Sequence, residues 1–598
     1  MVAIIKNKFR LQNAKEFLTN FSVNVTDKNY YLFVGKPLPW RAPEGQQGSS
    51  TITATNADLY PPLPEDTQFS ENRIWDEMLG LKKIGASDVS LVIPRSDYKS
   101  GTIYAVFDDN DAQLHQRPSL EDVQKARAVS ASAGTFYALN SNNELFVCIS
   151  NNSGQPSTQE PTRPGIVTDL VVLSDNYIWK YITSITSGDA VKFLTDSWIP
   201  VKTLSSDNGT GQYEVQSAAT PGELLCVVVK NTTESSETAT TFPHTYAGAI
   251  TVSGNLTATV NTSPSQVANA YVNYQLHVTT NGTTKVFDIN SYDSSTNILT
   301  VASAKSLASE GLTTGTTYSS CKILPKISVY SNGTSVPVCV PVVDESTHLL
   351  VEISVTDRGE NATFVSIDVT KPVADTSVLP TVRPILSSLN GLGKDPEKDL
   401  GAFYVMVSTQ IKYNEGEDQD GITSQPHLPD FPVKNDYRQI GILQNARQNT
   451  GASSSPLCTS NTLRATKRIK VQFNSELTLG NATGDPGFKS DEEIDLRDSS
   501  DNSIGKLKAI DFKFFNRDSQ TDAYIGEITF VQTPDTKYQA VAVAHRVVGT
   551  YSGAQASVIE VIDEELKKFD GEILYIENRR PVIRSVDQIE DLKTIIEF

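Results

Sequence analysis

Short apolar runs separated by turn-forming residues recur along the chain and predict a mainly β protein. Residues 30–34 and 145–149 are continuous apolar blocks, whereas residues 592–598 alternate between apolar and polar positions. Blocks and alternations of this length are typical of strands that are buried on both faces or on one face. The spacing of the runs over residues 101–202 indicates antiparallel sandwiches or barrels.

Helical periodicity is found near both ends of the chain. Apolar residues at i, i+3, i+4 and i+7 predict a helix over residues 13–21, and a second helix is predicted over residues 72–82. Residues 558–569 form a third candidate helix. The predicted strands at 30–34 and 89–93 alternate with the first two helices, so the chain begins with an α+β segment.

The last 29 residues, 570–598, contain an ordered series of signals. Asp570-Gly571 indicates a turn, and the apolar run 573–576 behind it predicts a strand. Pro581 lacks a backbone donor and has a fixed φ, so residues 578–581 are expected to form a sharp connection. The alternation that ends on Phe598 predicts a final strand whose terminus is packed rather than frayed.

This terminal segment resembles the C-terminus of the baseplate wedge proteins of large contractile-tailed bacteriophages. The residues that carry the resemblance are Gly571-Glu572, Tyr575, Glu577-Asn578-Arg579, Pro581, Asp587-Gln588 and Phe598. The N-terminal segment is similar to the same family at Lys8-Phe-Arg10, Gly35 with Pro39-Trp40, Trp75 with Met78, and Val92-Ile-Pro-Arg95. Because the two matches lie at opposite ends, we expect both termini to build one domain.

The resemblance implies a domain order with two insertions. Residues 1–100 and 558–598 are expected to form an α+β domain, and residues 101–202 and 373–447 a β-sandwich or barrel domain. Residues 203–372 and 448–557 are expected to be inserted β modules. Between Asn231 and Thr300, 32 of 70 residues are Ser, Thr or Asn and only 5 are charged, yet apolar runs persist. We therefore expect the first insertion to be folded rather than a linker.

Length and charge exclude several classes of protein. With 598 residues the chain is too long for one core. A net charge of −19 disfavours nucleic acid as a partner. The longest apolar run, 336–343, is far shorter than the roughly 20 residues of a membrane span, and the N-terminus is not a secretory signal. The one basic cluster, Arg464, Lys467, Arg468 and Lys470, is interpreted as the solvated face of a strand.

Motifs for catalysis are absent from the sequence. It contains no phosphate-binding loop, no Gly-x-Ser-x-Gly elbow and no His-Glu-x-x-His helix. The five cysteines, Cys148, Cys226, Cys321, Cys339 and Cys458, are interpreted as buried free thiols. The six histidines, His115, His244, His277, His348, His427 and His545, are far apart and are interpreted as generic. We expect no enzymatic activity and no cofactor.

Acidic segments offer little support for a metal site. The best calcium candidate, Asp418-Gln-Asp420-Gly421, has Gly416 and His427 where an EF-hand loop needs its first and last carboxylates. It is interpreted as an acidic turn. Residues 108–111 and 491–493 are likewise interpreted as solvated turns, and no metal is expected.

Arg579 and Arg580 are the candidate site residues, for a subunit interface. Arginine forms planar two-bond contacts with carboxylates and is enriched at protein interfaces. The alternative for Arg579 is that it ties the terminal turn to its own domain through Glu577.

The family resemblance implies a structural subunit of the baseplate wedge. It implies a homodimer that contacts other wedge proteins and has no nucleic-acid or membrane partner. Its expected location is the tail baseplate of the virion, after assembly in the host cytoplasm. The alternative is a receptor- or glycan-binding tail protein whose residues 203–372 touch the host. A third possibility is an enzyme that degrades surface glycans.

Overall fold

The structure is a computed structural model. It describes residues 6–22, 28–40, 57–108, 135–231, 239–373, 377–416, 428–433, 435–452, 454–474, 487–515, 524–532 and 539–598. The chain divides into two compact units. Unit 1 comprises Met1–Leu11 and Val92–Phe403, and unit 2 comprises Gln12–Leu91 and Tyr404–Phe598.

Strands dominate the described residues, which confirms the prediction of a mainly β fold. The α-helices, numbered in chain order, are α1 (Asn7–Ser22), α2 (Gln68–Glu77), α3 (Ser187–Phe193), α4 (Gln212–Ala218) and α5 (Pro396–Asp399). The first twenty strands are β1 (Tyr30–Gly35), β2 (Met78–Lys83), β3 (Val89–Pro94), β4 (Tyr137–Leu139), β5 (Glu144–Asn151), β6 (Leu170–Val172), β7 (Tyr177–Ser184), β8 (Trp198–Pro200), β9 (Leu224–Lys230), β10 (Tyr246–Val252), β11 (Thr257–Val260), β12 (Tyr274–Thr280), β13 (Thr283–Asp293), β14 (Ile298–Val301), β15 (Thr317–Pro325), β16 (Ile327–Ser331), β17 (Val338–Val343), β18 (Leu350–Asp357), β19 (Val365–Val369) and β20 (Thr381–Leu386). The others are β21 (Tyr404–Lys412), β22 (Asp436–Gln444), β23 (Thr462–Arg464), β24 (Lys467–Phe473), β25 (Glu493–Arg497), β26 (Ser503–Phe515), β27 (Tyr524–Val531), β28 (Arg546–Gly549), β29 (Gln555–Ile562), β30 (Glu572–Ile583) and β31 (Ile589–Glu597).

Unit 2 contains a five-stranded antiparallel sheet in the order β23-β2-β1-β22-β30. Its central strand, β1, is buried along its whole length, which explains a continuous apolar block instead of an alternation. On one face, Phe17 of α1 lies 6.3 Å from the ring of Tyr30 and 5.3 Å from the ring of Phe598. Residues from both ends of the chain therefore share one core.

Strand β2 corrects the predicted helix over residues 72–82. Helix α2 begins after Thr67, whose hydroxyl accepts a hydrogen bond from the Ser70 N–H at 3.2 Å, and ends at Glu77. The residues that follow form β2, which pairs with β1 and β23. A short run of neighbouring apolar residues has no distinctive period, so the two flanking strands decide its conformation.

A six-stranded closed barrel, in the order β24-β27-β26-β25-β28-β29, also belongs to unit 2. Its last strand, β29, corrects the predicted helix over residues 558–569. Strand β29 closes the barrel by pairing with β24 on one side and β28 on the other. Pairing of backbone groups along both edges outweighs the helical spacing of the sequence.

Strand β30 corrects the sharp connection predicted over residues 578–581. The strand continues through Pro581, but its register against β22 shifts. Gln439 pairs with Asn578 and Tyr437 pairs with Val582, so a step of two residues on β22 faces a step of four on β30. The proline lies in this bulge, where a backbone donor is not required. The strand predicted at the C-terminus is confirmed, because β31 pairs with β21 along its whole length.

Unit 1 contains a four-stranded sheet, β4-β5-β7-β6, and a second closed barrel, β10-β11-β14-β13-β12-β15. The Ser/Thr/Asn-rich sequence forms much of this barrel and is folded as expected. Residues 103–107, one of the apolar runs that indicated strands over residues 101–202, lie outside the described strands. Tyr104 instead packs its ring 5.0 Å from Trp179, and its backbone N–H donates to the Tyr177 hydroxyl at 3.4 Å.

Candidate subunit interface

Four segments that are distant in sequence meet beside the bulge of β30, within unit 2. They are residues 35–40, 57–64, 436–439 and 577–581. The first and fourth contain residues that resemble the wedge family, whereas the second was not singled out by the sequence. Polar contacts among these segments build the candidate site.

An ion pair between the buried Arg438 and the partly exposed Asp58 forms the centre of this site. The guanidinium of Arg438 donates from Nε to Asp58 Oδ1 at 3.0 Å and from its NH2 nitrogen to Oδ2 at 2.9 Å. Its NH1 nitrogen donates to the Pro37 carbonyl at 2.8 Å. Burial alone would raise the pKa of Asp58, but the hydrogen bonds from Arg438 and from the Trp40 N–H outweigh it, so the pKa is lowered.

Trp40 connects this ion pair to β30. Its backbone N–H donates to Asp58 Oδ1 at 2.7 Å, and its indole Nε1–H donates to the Arg579 carbonyl at 3.0 Å. The Lys36 ammonium lies 5.6 Å from the centre of the indole ring, within the range of a cation–π contact. The tryptophan therefore fixes the N-terminal segment against the bulged strand.

A second buried ion pair lies on the α2 side of the site. Lys36 Nζ is 3.0 Å from Glu77 Oε1, and the two side chains are only 8% and 6% exposed. Arg73, one helical turn earlier, lies 3.7 Å from the same oxygen. Removing one member of such a pair would leave an uncompensated charge in a low dielectric, so the pair fixes the end of α2 to the residue after β1.

Arg579 lies against its own strand. Its Nε and NH2 nitrogens donate to the two carboxylate oxygens of Glu577 at 2.7 and 3.2 Å. Glu577 also accepts from the Tyr575 hydroxyl at 2.9 Å. Burial, with the Glu577 charge next, raises the pKa of Tyr575. This geometry is the intrachain contact that we considered as the alternative for Arg579, and a subunit contact by this residue stays a prediction.

Arg580 and Asn578 hold a segment that we call the proline arm, residues 59–64. The Arg580 Nε–H donates to the Leu59 carbonyl at 3.0 Å, and the Asn578 side chain donates to the Pro62 carbonyl at 2.9 Å. Arg580 is exposed, as expected for an interface residue, but one of its N–H groups already donates a hydrogen bond to the proline arm. An interface role for Arg580 stays a prediction.

The proline arm and α2 enclose a cleft of about 620 Å³. Its walls include Trp40, Leu63, Phe69 and Ile576, with Lys36 and Glu77 among its polar residues. Leu63 is 88% exposed and Phe69 is 73% exposed. An apolar surface of this kind, fixed from behind by buried polar contacts, is suited to binding another protein.

The comparisons with known proteins bear on the N-terminal part of this site. Residues 3–110 match a sequence model of the family described as "Bacteriophage T4, Gp8". Over 211 residues the chain is 22% identical to the baseplate wedge protein gp8 of Enterobacteria phage T4, which covers 33% of this chain and 60% of gp8. Over these residues the chain is similar to the gp8 baseplate wedge family.

The gp8 family match contains Lys36, Trp40, Asp58, Leu63 and Glu77 of the candidate interface. Arg438 and the residues of β30 lie outside positions 3–110, so the resemblance of the C-terminal segment to the wedge family stays a prediction. Sequence analysis missed Asp58 and Arg438. A signal for Arg438 was present, because it lies on the same face of β22 as the buried Ile440 and Ile442. A charged residue among apolar residues on one face of a strand is expected to be buried, and a buried charge needs a partner of opposite charge.

The basic cluster at Arg464, Lys467, Arg468 and Lys470 is only partly solvated, which corrects its interpretation. Arg464 and Arg468 are 4% and 5% exposed. The Arg468 guanidinium donates to the carbonyls of Leu428 and Pro429 and lies 3.6 Å from Glu527. The outward face of β24 is therefore covered at Arg468 by other parts of unit 2, whereas Lys470 on the same face is partly exposed.

Two acidic segments are only in part the solvated turns that we expected, because each contains a buried carboxylate, whereas Asp491 is exposed and lies in a turn. Asp108 is 2% exposed and pairs with Arg383 in unit 1. Glu492 is 4% exposed and accepts hydrogen bonds from the backbone N–H groups of Lys489 and Tyr551 at 2.9 and 2.8 Å. Residues 109–111 and the calcium candidate 418–421 lie outside the described residues.

The cysteines and histidines remain to be placed, and two of the histidines are neighbours: burial, and next the charge of His348, lower the pKa of His244. All five cysteines are buried free thiols, as predicted. His244, His277, His348 and His545 are described, whereas His115 and His427 lie outside the described residues. Within the described ranges, no group of three or more His, Cys, Asp or Glu side chains could hold a metal ion. None of the helices in those ranges combines the length and apolar character that crossing a bilayer requires.

Proposed function

We propose that this protein is a structural, non-enzymatic subunit of the baseplate wedge of a contractile phage tail. The observation that carries the proposal is the similarity to gp8 over residues 3–110. The chain matches 60% of the gp8 sequence. The candidate interface supports the proposal, because buried ion pairs hold an exposed apolar surface in a fixed position.

The subunit acts through contacts with a second copy of itself and with other wedge proteins. Stable contacts of this kind bury more than about 1,000 Å² in total and commonly centre on Trp, Tyr or Arg side chains. The contacts form during assembly in the host cytoplasm and rearrange when the baseplate changes shape on infection. A net charge of −19 supports partners other than nucleic acid.

The domain order is part of the same proposal. The alignment covers 33% of this chain but 60% of gp8, so this chain has much more sequence outside the match. We place the extra sequence in insertions at residues 203–372 and 448–557. The two closed barrels lie in or overlap these ranges.

Imaging of intact tails tests the proposed function. A short peptide tag inserted at the exposed Asn281-Gly282 turn between β12 and β13 would be located by cryo-electron microscopy of particles from the phage that encodes the chain. Tag density inside the baseplate ring is the expected result. Density at the periphery, with binding to host cells, would favour the receptor-binding alternative. Release of a host glycan by the purified protein would contradict the structural role.

A further inference from the structure

The sequence of the proline arm fixes its conformation in advance. It reads Leu59-Tyr60-Pro61-Pro62-Leu63-Pro64. Each proline has a fixed φ, and each residue that precedes a proline is restricted to extended conformations. The structure has no cis peptide bond among the described residues and assigns no helix or strand to residues 60–64. These restrictions favour extended, polyproline-like conformations over residues 60–64, so the arm loses little conformational entropy when it binds.

The arm presents one edge to solvent. An ideal polyproline helix has three residues per turn, a geometry that places positions 60 and 63 on the same side. Their side chains are 50% and 88% exposed. Arg580 and Asn578 bind the Leu59 and Pro62 carbonyls from the β30 side. The hydrogen bonds thus hold the backbone and leave the two apolar side chains available.

Charge beside the arm restricts the kind of partner. Glu65 and Asp66 follow Pro64 directly, and both are exposed. A surface that receives the arm would bring these carboxylates to its rim, where basic side chains stabilise them. Because the chain itself carries a net charge of −19, a basic rim is supplied more readily by a different protein than by a second copy.

We propose that the proline arm docks into an aromatic-lined, basic-rimmed groove on another protein of the same tail. Aromatic-lined grooves are the usual receptors of proline-rich segments, because flat rings pack against proline and the alternate apolar residues fill the spaces between them. Leu63 and Tyr60 insert into the groove, and Glu65 and Asp66 pair with its rim. Arg580 is a positioning residue that holds the arm in its docking orientation. The inference rests on the proposed function, and it specifies one surface through which the proposed wedge subunit would contact a different tail protein.

A photo-cross-linking amino acid at position 63 of the full chain, in intact tails, tests the inference. The expected product joins position 63 to one different tail protein. Mass spectrometry should place the linked site beside Trp or Tyr, with Arg or Lys nearby. Cross-links to a second copy alone, to a segment without aromatic residues, or to no protein would overturn the inference.

Affinity measurements with the purified partner complete the test. Leu63→Ser and Tyr60→Ser should each weaken binding at least tenfold, with unchanged circular dichroism. Arg580→Ala should also weaken binding, and Arg580→Lys should restore part of it, because an ammonium can still reach the Leu59 carbonyl. Ile166→Ser is the matched control, since Ile166 is 65% exposed in unit 1. Equal binding by Leu63→Ser and Ile166→Ser would overturn the inference.

The two proposals fail in different ways. If imaging places the tagged chain in the wedge but position 63 forms no cross-link, only the docking inference is wrong. If the chain is absent from the tail, the proposed function fails and the docking inference fails with it.

Discussion

Arg438 holds Asp58 by two parallel hydrogen bonds between residues that are 380 positions apart in sequence. The guanidinium side chain is 5% exposed and the carboxylate side chain 26%. Paired geometry in a mostly buried setting makes this contact much stronger than an ion pair on the surface. It fixes the segment that leads into the proline arm to the central sheet of unit 2.

We expect Arg438→Met to lower the free energy of unfolding by about 3 kcal/mol, because it leaves Asp58 without its main partner. The pKa of Asp58 is lowered in the folded state, so the contribution is complete above the ordinary value of 3.8 and is lost as the pH falls below it. Urea unfolding at pH 7 and pH 3 should show the difference between wild type and variant shrinking at the lower pH.

Arg497→Met is the control for this prediction. Arg497, whose side chain is 31% exposed, donates to Asp495 at 2.8 Å, and its loss should lower the free energy of unfolding in urea by less than about 1 kcal/mol. Equal losses for the two variants would show that the pair with the buried Arg438 contributes no more than a pair with an exposed arginine.

The basic residues of β24 provide a sharper contrast. Arg468 and Lys470 lie on the same face of one strand, but Arg468 faces the fully buried Glu527. Arg468→Met should cost about 3–5 kcal/mol, because it removes a buried charge beside Glu527 and the donors to two buried backbone carbonyls. Lys470→Met removes a pair with the half-exposed Glu560 and should cost less than about 1 kcal/mol. Equal losses in chemical denaturation would contradict the assigned burial.

These two residues also show what the sequence can predict. The alternation of Ile469, Val471 and Phe473 correctly indicated a strand with those side chains inward, and all three are fully buried in the barrel. It could not indicate what covers the other face. Leu428 and Glu527, which cover Arg468, lie 40 residues before it and 59 after it, beyond the reach of local periodicity.

The same limit applies to the candidate interface. Residues 35–40 and 577–581 were singled out by their resemblance to the wedge family, whereas Asp58 lies in a segment with no distinctive sequence pattern. Its role depends on Arg438, and a contact across 380 residues has no local signature. The bulge at Pro581 could not be predicted either. A proline is compatible with a sharp connection and with a bulge in an edge strand, and the local sequence does not distinguish the two.

Gly441 should not tolerate a side chain. A Cβ atom there would lie 2.3 Å from the Tyr575 carbonyl oxygen and 2.4 Å from the Phe33 ring. Gly441→Ala should therefore cost at least about 3 kcal/mol or prevent folding. Gly188→Ala is the control, because no neighbouring atom lies within 4 Å and the residue is in α3. It should be neutral or stabilising by up to about 1 kcal/mol in thermal unfolding. Equal destabilisation would contradict the close packing of β22.

Asp399 should make unit 1 less stable as the pH rises. Burial raises its pKa to about 7, although the Gly393 N–H, which donates to it at 2.7 Å, has the opposite effect. The folded state therefore holds a proton that the unfolded state releases between pH 3.8 and about 7, and stability falls across this window. The charged groups around it include Asp395 and Lys398 of its own segment and Lys180 of β7.

Asp399→Asn should remove this pH dependence, because an amide oxygen can still accept from Gly393. We expect the variant to gain on the order of 2 kcal/mol over wild type at pH 8 and little at pH 4. Thermal melts across this range check the result, with the exposed Asp207→Asn as control. A difference that is constant with pH would contradict a raised pKa at Asp399.

The insertion in unit 1 should be removable at a boundary that strand pairing defines. Lys230, the last residue of β9, is the direct partner of Thr381, the first residue of β20. Replacing residues 231–380 by Asn-Gly would convert this pair into a hairpin, because Asn-Gly favours the tight turn that joins antiparallel strands. Val227 and Val229 would become more exposed, so the remainder should melt cooperatively but at a lower temperature.

Deletion of residues 203–372 should behave differently. It removes β9, which leaves β20 without its partner, and it removes α4, whose Val215 is buried in the same core as Trp179. We expect this deletion to lose cooperative unfolding, measured by calorimetry beside the deletion of 231–380. If both deletions melt with equal cooperativity, β9 and α4 are not needed by the remaining core, and the boundary at residue 203 should be kept.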